Sequence, residues 1–193
     1  MPRKPDAQLE NRILNAAYEL WSLGGEHAVT MRAVASAART TTPTLYERFK
    51  DKKDLVMFLR ERSKQNMAAA LQPCQSVIEI CRRALEFSLA HGHEYRLLTV
   101  DWAGRLSRNE TMPSYALVKQ RLAGELGGTS DQREHLALAL VEIVHGTALL
   151  LLGPEIDNNV GRELKEACLE ACGVLIENAS KNSSLKKRLP RSA

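Results

Sequence analysis

The residues best suited to chemistry lie in one short stretch of this 193-residue chain, Thr41-Thr42-Pro43-Thr44 with Tyr46 and Arg48 just beyond. Read as a helix starting after Thr41, the stretch carries hydroxyls at its amino end. A threonine hydroxyl can hydrogen-bond to several bases, and its methyl packs on the thymine methyl. Tyr46 one turn later, and Lys52 at the start of the next helix, suit contact with phosphate, which the positive end of a helix also favours. Thr30 stands in the same relation to the preceding helix, while Arg32, Arg39, Arg48, Lys50 and Lys53 add positive field. The plainer reading makes the threonines helix caps and the cations a solvated face. Taken alone, the residues leave both open.

Other conspicuous side chains fit structural roles better. Cys168 and Cys172 share a helical face and Cys74 and Cys81 are two turns apart, but there is no Cys-x-x-Cys pair. Buried thiols explain them more simply than a metal or redox centre. His91-x-His93-Glu94 is a weak metal pattern at a helix junction, and His145 sits on an apolar helix. No Gly-x-Ser-x-Gly elbow, phosphate-cradling Gly-Lys loop, Gly-x-Gly-x-x-Gly turn or His-Glu-x-x-His pair is present. Neither an enzyme nor a cofactor is expected.

Helices must position these residues. Aromatics are 5% of the chain and β-branched residues do not alternate with polar ones, which disfavours an all-β domain. Ile13, Leu14, Ala17, Leu20 and Trp21 make the apolar stripe of a first helix, stopped by Gly24-Gly25. Thr30 caps a short second helix, Thr41 a brief third over 42–48, and Asp51 a fourth reaching about Leu71. Pro73 opens a fifth, and a sixth holds Leu97 to Leu106. Met112-Pro113 starts a seventh, and Ser130 caps an eighth that is apolar nearly all round from Leu136 to Leu152. A ninth repeats apolar residues at Val160, Leu164, Ala167, Ala171, Val174 and Ala179. No apolar run reaches the length of a membrane span and no leader precedes the first helix, so a cytoplasmic chain with free thiols is expected.

The spacing therefore predicts an all-α fold of about nine helices. Three divisions are expected: residues 1–51, residues 52–180 and a basic, flexible tail at 181–193. Charge follows them loosely: residues 1–64 are net +4, residues 65–180 net −5, and the tail net +5. A polyanion would meet the ends. The second and third helices are too short to stand alone. Two such helices joined tightly make a helix-turn-helix, whose second member enters the DNA major groove. The eighth and ninth helices need cover on more than one side, which a second copy of the chain would supply as a four-helix bundle.

Residues 13–55 resemble the DNA-binding domain of the TetR family of bacterial transcriptional regulators. The resemblance rests on Ile13, Ala16, Ala17, Leu20 and Trp21, on Gly24 or Gly25, on Thr30, and above all on Thr44-Leu45-Tyr46, Phe49, Lys52 and Leu55. His145-Gly146 is a pair that recurs in some members. Arg39 stands where members usually have a glycine in the turn, and Pro43 where many have another. Arg39 either sits there on an altered backbone or reaches a phosphate.

The resemblance implies DNA contacts from Thr30, Arg32, Thr41, Thr42, Pro43, Thr44, Tyr46, Arg48 and Lys52. It also implies a small-molecule pocket, with Phe87, His91, Tyr95, Leu98, Trp102, Met112, Tyr115 and His145 as candidate lining. That lining favours a hydrophobic or aromatic ligand. A repressor follows, dimeric through its eighth and ninth helices, bound to a near-palindromic operator and released by the ligand with the fourth helix as lever. The alternative is a helical carrier or enzyme with a vestigial DNA-binding-like amino end.

Overall fold

The computed structural model describes residues 7–188 except 101, 109, 111 and 155, without the side chains of 7, 102, 103, 106 and 183–188. Among the described residues the chain is all helical. The α-helices are α1 (Ala7–Ala28), α2 (Met31–Ala37), α3 (Thr42–Tyr46), α4 (Lys52–Leu71), α5 (Val77–Ala90), α6 (Gly92–Thr99), α7 (Trp102–Ser107), α8 (Pro113–Leu126), α9 (Glu134–Leu151) and α10 (Asn158–Arg188). A 3-10 turn over Asp131–Arg133 precedes α9.

Several boundaries differ from the sequence expectation, each for a local reason. The glycine pair does break α1: Gly24 and Gly25 are non-helical, Gly25 at φ 60°, and a last turn follows to Ala28. Pro73 does not open the fifth helix. Ser76 caps it instead, in a capping box with Glu79, whose carboxylate takes the Ser76 and Gln75 amides. The expected sixth helix is divided into α6 and α7, so the expected seventh, eighth and ninth are α8, α9 and α10. Ser130 makes no side-chain cap. Arg133 closes that corner by donating to the carbonyls of Leu126 and Gly127, which end α8. The chain does not leave its helix at 180 either: α10 continues to Arg188, and 189–193 lie outside the described residues.

Two compact units divide the chain, one holding the residues up to Ser63 with His93–Val100, the other holding Lys64–Gly92 and the chain from Asp101. The division falls inside α4 and not at residue 51, because Leu55 and Leu59 of α4 are fully buried in the first core. With them pack Ile13, Leu14, Ala17 and Trp21 of α1, Val34 of α2, Leu45, Phe49 and Leu97. Tyr18 adds a polar tie between α1 and α4. Its hydroxyl donates to the Leu59 carbonyl at 2.7 Å and bonds the buried Ser63, and Arg62 lies 5.7 Å over its ring. Burial, partly offset by the Ser63 bond, pushes the phenol up to about 12, so it stays a neutral donor.

In the second unit α5 packs on α9 and α10, and α8 on α9. Cys81, Cys168 and Cys172 meet there, all buried. The Cys172 bond and burial push the Cys168 thiol up. At Cys172 the Cys168 bond favours the thiolate, but the Cys81 bond and burial prevail and push it up to about 12. Among the described residues no His, Cys, Asp or Glu group has the geometry to hold a metal ion. Cys74 is only half-buried. An aromatic disulfide reagent in mildly alkaline buffer should therefore titrate Cys74 in the native protein and all four thiols after denaturant. Equal native labelling of Cys168 or Cys172 would contradict this packing, since a protonated, covered thiol is a poor nucleophile.

By length and composition alone the segment Asp131–Leu151 could pass for a membrane span: an 18-residue window in it has mean hydropathy 1.5, and 22% of that window is buried within the chain. Sequence inspection missed this because Glu142 and His145 interrupt the apolar runs. The exposed positions are patterned. His135, Ala139, Glu142, Gly146, Leu149 and Leu150 of α9 recur at heptad-like spacing. On α10, Val160, Ala167, Ala171 and Val174 are exposed on one side while Cys168 and Cys172 are buried on another.

Candidate DNA-binding face

α2 and α3 are held from beneath and at their ends. Val34 and Leu45 have no exposed surface and Phe49 has 1%, so each short helix is pinned by apolar side chains that neither could bury alone. Thr30 has extended backbone, and its hydroxyl accepts from the Ala33 amide at 3.1 Å. Thr41 does the same for α3, accepting from the Thr44 amide at 3.3 Å and bonding the Thr44 hydroxyl at 2.9 Å. Pro43 lies in the first turn, where its missing amide hydrogen has no intrahelical partner to lose. The two readings of these threonines therefore coexist: Thr30 and Thr41 are caps, and both remain exposed.

The turn between the helices closes by two backbone bonds, Arg39 N to Ser36 O at 3.1 Å and Thr40 N to Ala35 O at 2.9 Å. This pairing makes the residue after the C-cap left-handed, a position glycine usually fills. Here it is Arg39, at φ 52°. The altered backbone expected for Arg39 is adopted, and its side chain stays exposed.

Tyr46 is 53% exposed and so is not part of the core. Pro43 and Arg32 are exposed, and Thr42, Thr44 and Arg48 half-buried. Arg48 Nη1 lies 3.5 Å from the Thr44 carbonyl, a weak bond back along its own helix. Lys52 is partly engaged. Its Nζ donates to the Glu26 carbonyl at 2.7 Å and lies 3.9 Å from the Glu26 carboxylate, tying the start of α4 to the end of α1. Asp51 caps α4 through the Asp54 amide at 2.9 Å, as the sequence suggested.

The pocket candidates are more scattered. Tyr95 and Leu98 are buried, but α6 beyond Gly92 belongs to the first unit, with Leu97 in its core. Phe87, Met112 and Tyr115 are buried in the second unit. His91 stacks on Phe87 with ring centroids 4.6 Å apart, and the Tyr115 hydroxyl donates to the Glu134 carbonyl at 3.3 Å. His145 is half-buried, and burial lowers its pKa against the opposing pull of Glu142. The Trp102 side chain lies outside the described residues. A cleft of about 270 Å³ does open in the second unit, but Cys74, Glu79, Arg82 and Arg83 are among its lining and none of those candidates is.

A compact helical unit with two short capped helices, the second preceded by the exposed Thr41 and carrying the exposed Tyr46, is a helix-turn-helix DNA-binding unit. Comparison with known proteins narrows this. Residues 13–57 match the model of bacterial regulatory proteins of the tetR family. A TetR-like transcriptional regulator from Rhodococcus sp. RHA1 is 27% identical, with 89% of this chain and 98% of that one covered at TM-score 0.60. A TerR/AcrR-family regulator from Aquifex aeolicus VF5 is 18% identical, covering 86% and 99% at TM-score 0.62. The multidrug binding protein EbrR, complexed with ethidium, is 20% identical, covering 88% and 99% at TM-score 0.62. No curated protein matches the chain in sequence. Residues 13–57 thus form a tetR-family DNA-binding domain, and over most of its length the chain is similar to a TetR-like transcriptional regulator.

Proposed function

We propose that two copies of this chain, joined through α9 and α10, bind a near-palindromic operator, repress transcription, and leave the DNA when a small hydrophobic or aromatic ligand binds. The observation that carries the reading is the pair of outward-facing stripes, Leu149 and Leu150 on α9 with Val160 and Val174 on α10. Exposed apolar surface at coiled-coil spacing is what a second helix pair covers. Such a dimer presents two copies of α3 to successive major grooves. Occupancy of a promoter blocks access to it, hence repression. A chromosomal target places the protein in the cytoplasm.

On each copy, Thr42, Pro43 and Thr44 face base edges. Thr30, Arg32, Thr41, Tyr46, Arg48 and Lys52 hold phosphates, which fixes register and carries little sequence information. The Glu26 tie uses one of the three Lys52 donors and leaves the others for a phosphate. The effector reading draws on the buried aromatics of α5 and α8 and on EbrR, a protein of this fold seen with ethidium. Such a ligand must favour the DNA-free conformation, or nothing shifts. α4 runs from the first unit into the second and is the element through which that preference is transmitted.

Selection of bound duplexes from a random pool at fixed salt tests the core of this. The expected result is a two-fold symmetric motif. Tyr46→Ala should then weaken every selected sequence about equally, by roughly tenfold for the loss of about 1.4 kcal/mol. An asymmetric single half-site, or Tyr46→Ala binding like wild type, would overturn the dimer or the phosphate role respectively.

A further inference from the structure

Arg39 occupies a position that works against its own side chain. It is the non-glycine residue with positive φ among the described residues, at 52°, in a turn that glycine closes without the clash of a β-carbon. Nothing inside the chain compensates. Its backbone amide is used by the turn, but its side chain is exposed and makes no hydrogen bond or ion pair with the described residues. Arg48, by comparison, turns back to the Thr44 carbonyl, and Lys52 is tied to Glu26. Backbone strain that no side-chain contact offsets concentrates where a contact outside the chain uses the residue.

We infer that Arg39 is a DNA-backbone anchor, its guanidinium gripping a phosphate oxygen beside the reading helix α3. Arg39 stands two residues before Thr41, the cap of α3, and its exposed side chain lies in the turn that leads into that helix. A guanidinium presents a planar fork of donors that matches two phosphate oxygens, and it stays charged under all ordinary conditions. This contact adds to the positions that the family pattern supplies, and it rests on the DNA-binding reading of the same face.

Three variants separate charge from strain. Arg39→Gln keeps the left-handed side chain and loses the charge, Arg39→Lys keeps both, and Arg39→Gly removes both. Each is titrated with a mixed-sequence duplex long enough for two half-sites, over a series of salt concentrations. For Gln and Gly the slope of log affinity against log salt should shrink by about 1.8 per dimer, since each lost phosphate contact removes about 0.9. Lys should keep the wild-type slope with weaker binding. Gly should also raise the Tm by roughly 2–4 °C, as strain relief alone requires. A Gln slope equal to wild type, with wild type binding normally, overturns the anchor and leaves the DNA-binding reading intact. Failure of wild type itself to bind any duplex overturns both.

Discussion

Phe49→Ala should destabilise the first unit by about 3–5 kcal/mol, a large share of the roughly 5–15 kcal/mol that holds a typical domain folded. Phe49 is 1% exposed and lies in one core with Leu45 of α3, Val34 of α2 and Leu55 and Leu59 of α4. Removing the ring leaves a void that α2 and α3, seven and five residues long, cannot close by themselves. The neighbouring Phe58 meets it edge-on, with centroids 5.3 Å apart and planes at 82°, but is 40% exposed. Phe58→Ala should therefore cost only about 0.5–1.5 kcal/mol, most of it the aromatic pair. Hydrogen exchange resolves the difference: in Phe49→Ala, amides of α1 to α3 lose protection while those around Leu140 and Val144 of α9 keep it. Equal losses in the two variants would mean that Phe49 is not the keystone of this core. DNA affinity should fall with the same protection, because Thr41 and Tyr46 are positioned only while Leu45 and Phe49 hold α3 in place.

This dependence explains why the first unit was so legible in the sequence. Ile13, Leu14, Ala17 and Trp21 recur at helical spacing, and Thr30, Thr41 and Asp51 are caps whose geometry is local. Local rules suffice where consecutive residues decide the outcome. They failed at Pro73 and Ser130, where a capping box and a long-reaching arginine won over a good starting residue. Tyr18 and Ser63 went unnoticed for a different reason: their bond joins residues 45 positions apart, and neither residue type announces it. The effector pocket was the least legible. Tyr95 and Phe87 look alike as buried aromatics in sequence, yet they belong to different compact units. Periodicity says which face of a helix is covered, and is silent about what covers it. The apolar patterning did mark α9 and α10 as helices needing more cover than their neighbours supply, and the single chain leaves Leu150 56% exposed.

Leu150→Asp combined with Val174→Asp should convert a dimer into monomers and lower operator affinity by about 10²–10⁴-fold. The size of that loss follows from linkage. In a dimer the second reading head meets its half-site at an effective concentration in the millimolar range, an advantage that monomers forfeit. Each aspartate would also bury a charge against an apolar partner surface. The helices themselves should survive, because both positions are already exposed in the single chain, at 56% and 51%. Sedimentation velocity should then give half the mass with unchanged helical circular dichroism. Glu166→Gln, exposed on α10 but off the apolar stripe, should remain dimeric and bind the operator as wild type. Binding to one isolated half-site should be nearly the same for all three proteins, since α3 is untouched. If the double variant stays dimeric, the stripes are not the interface, and the spacing of the two reading heads must come from another surface. If it becomes monomeric yet keeps full operator affinity, dimerisation contributes nothing to recognition and a near-palindromic site loses its physical basis.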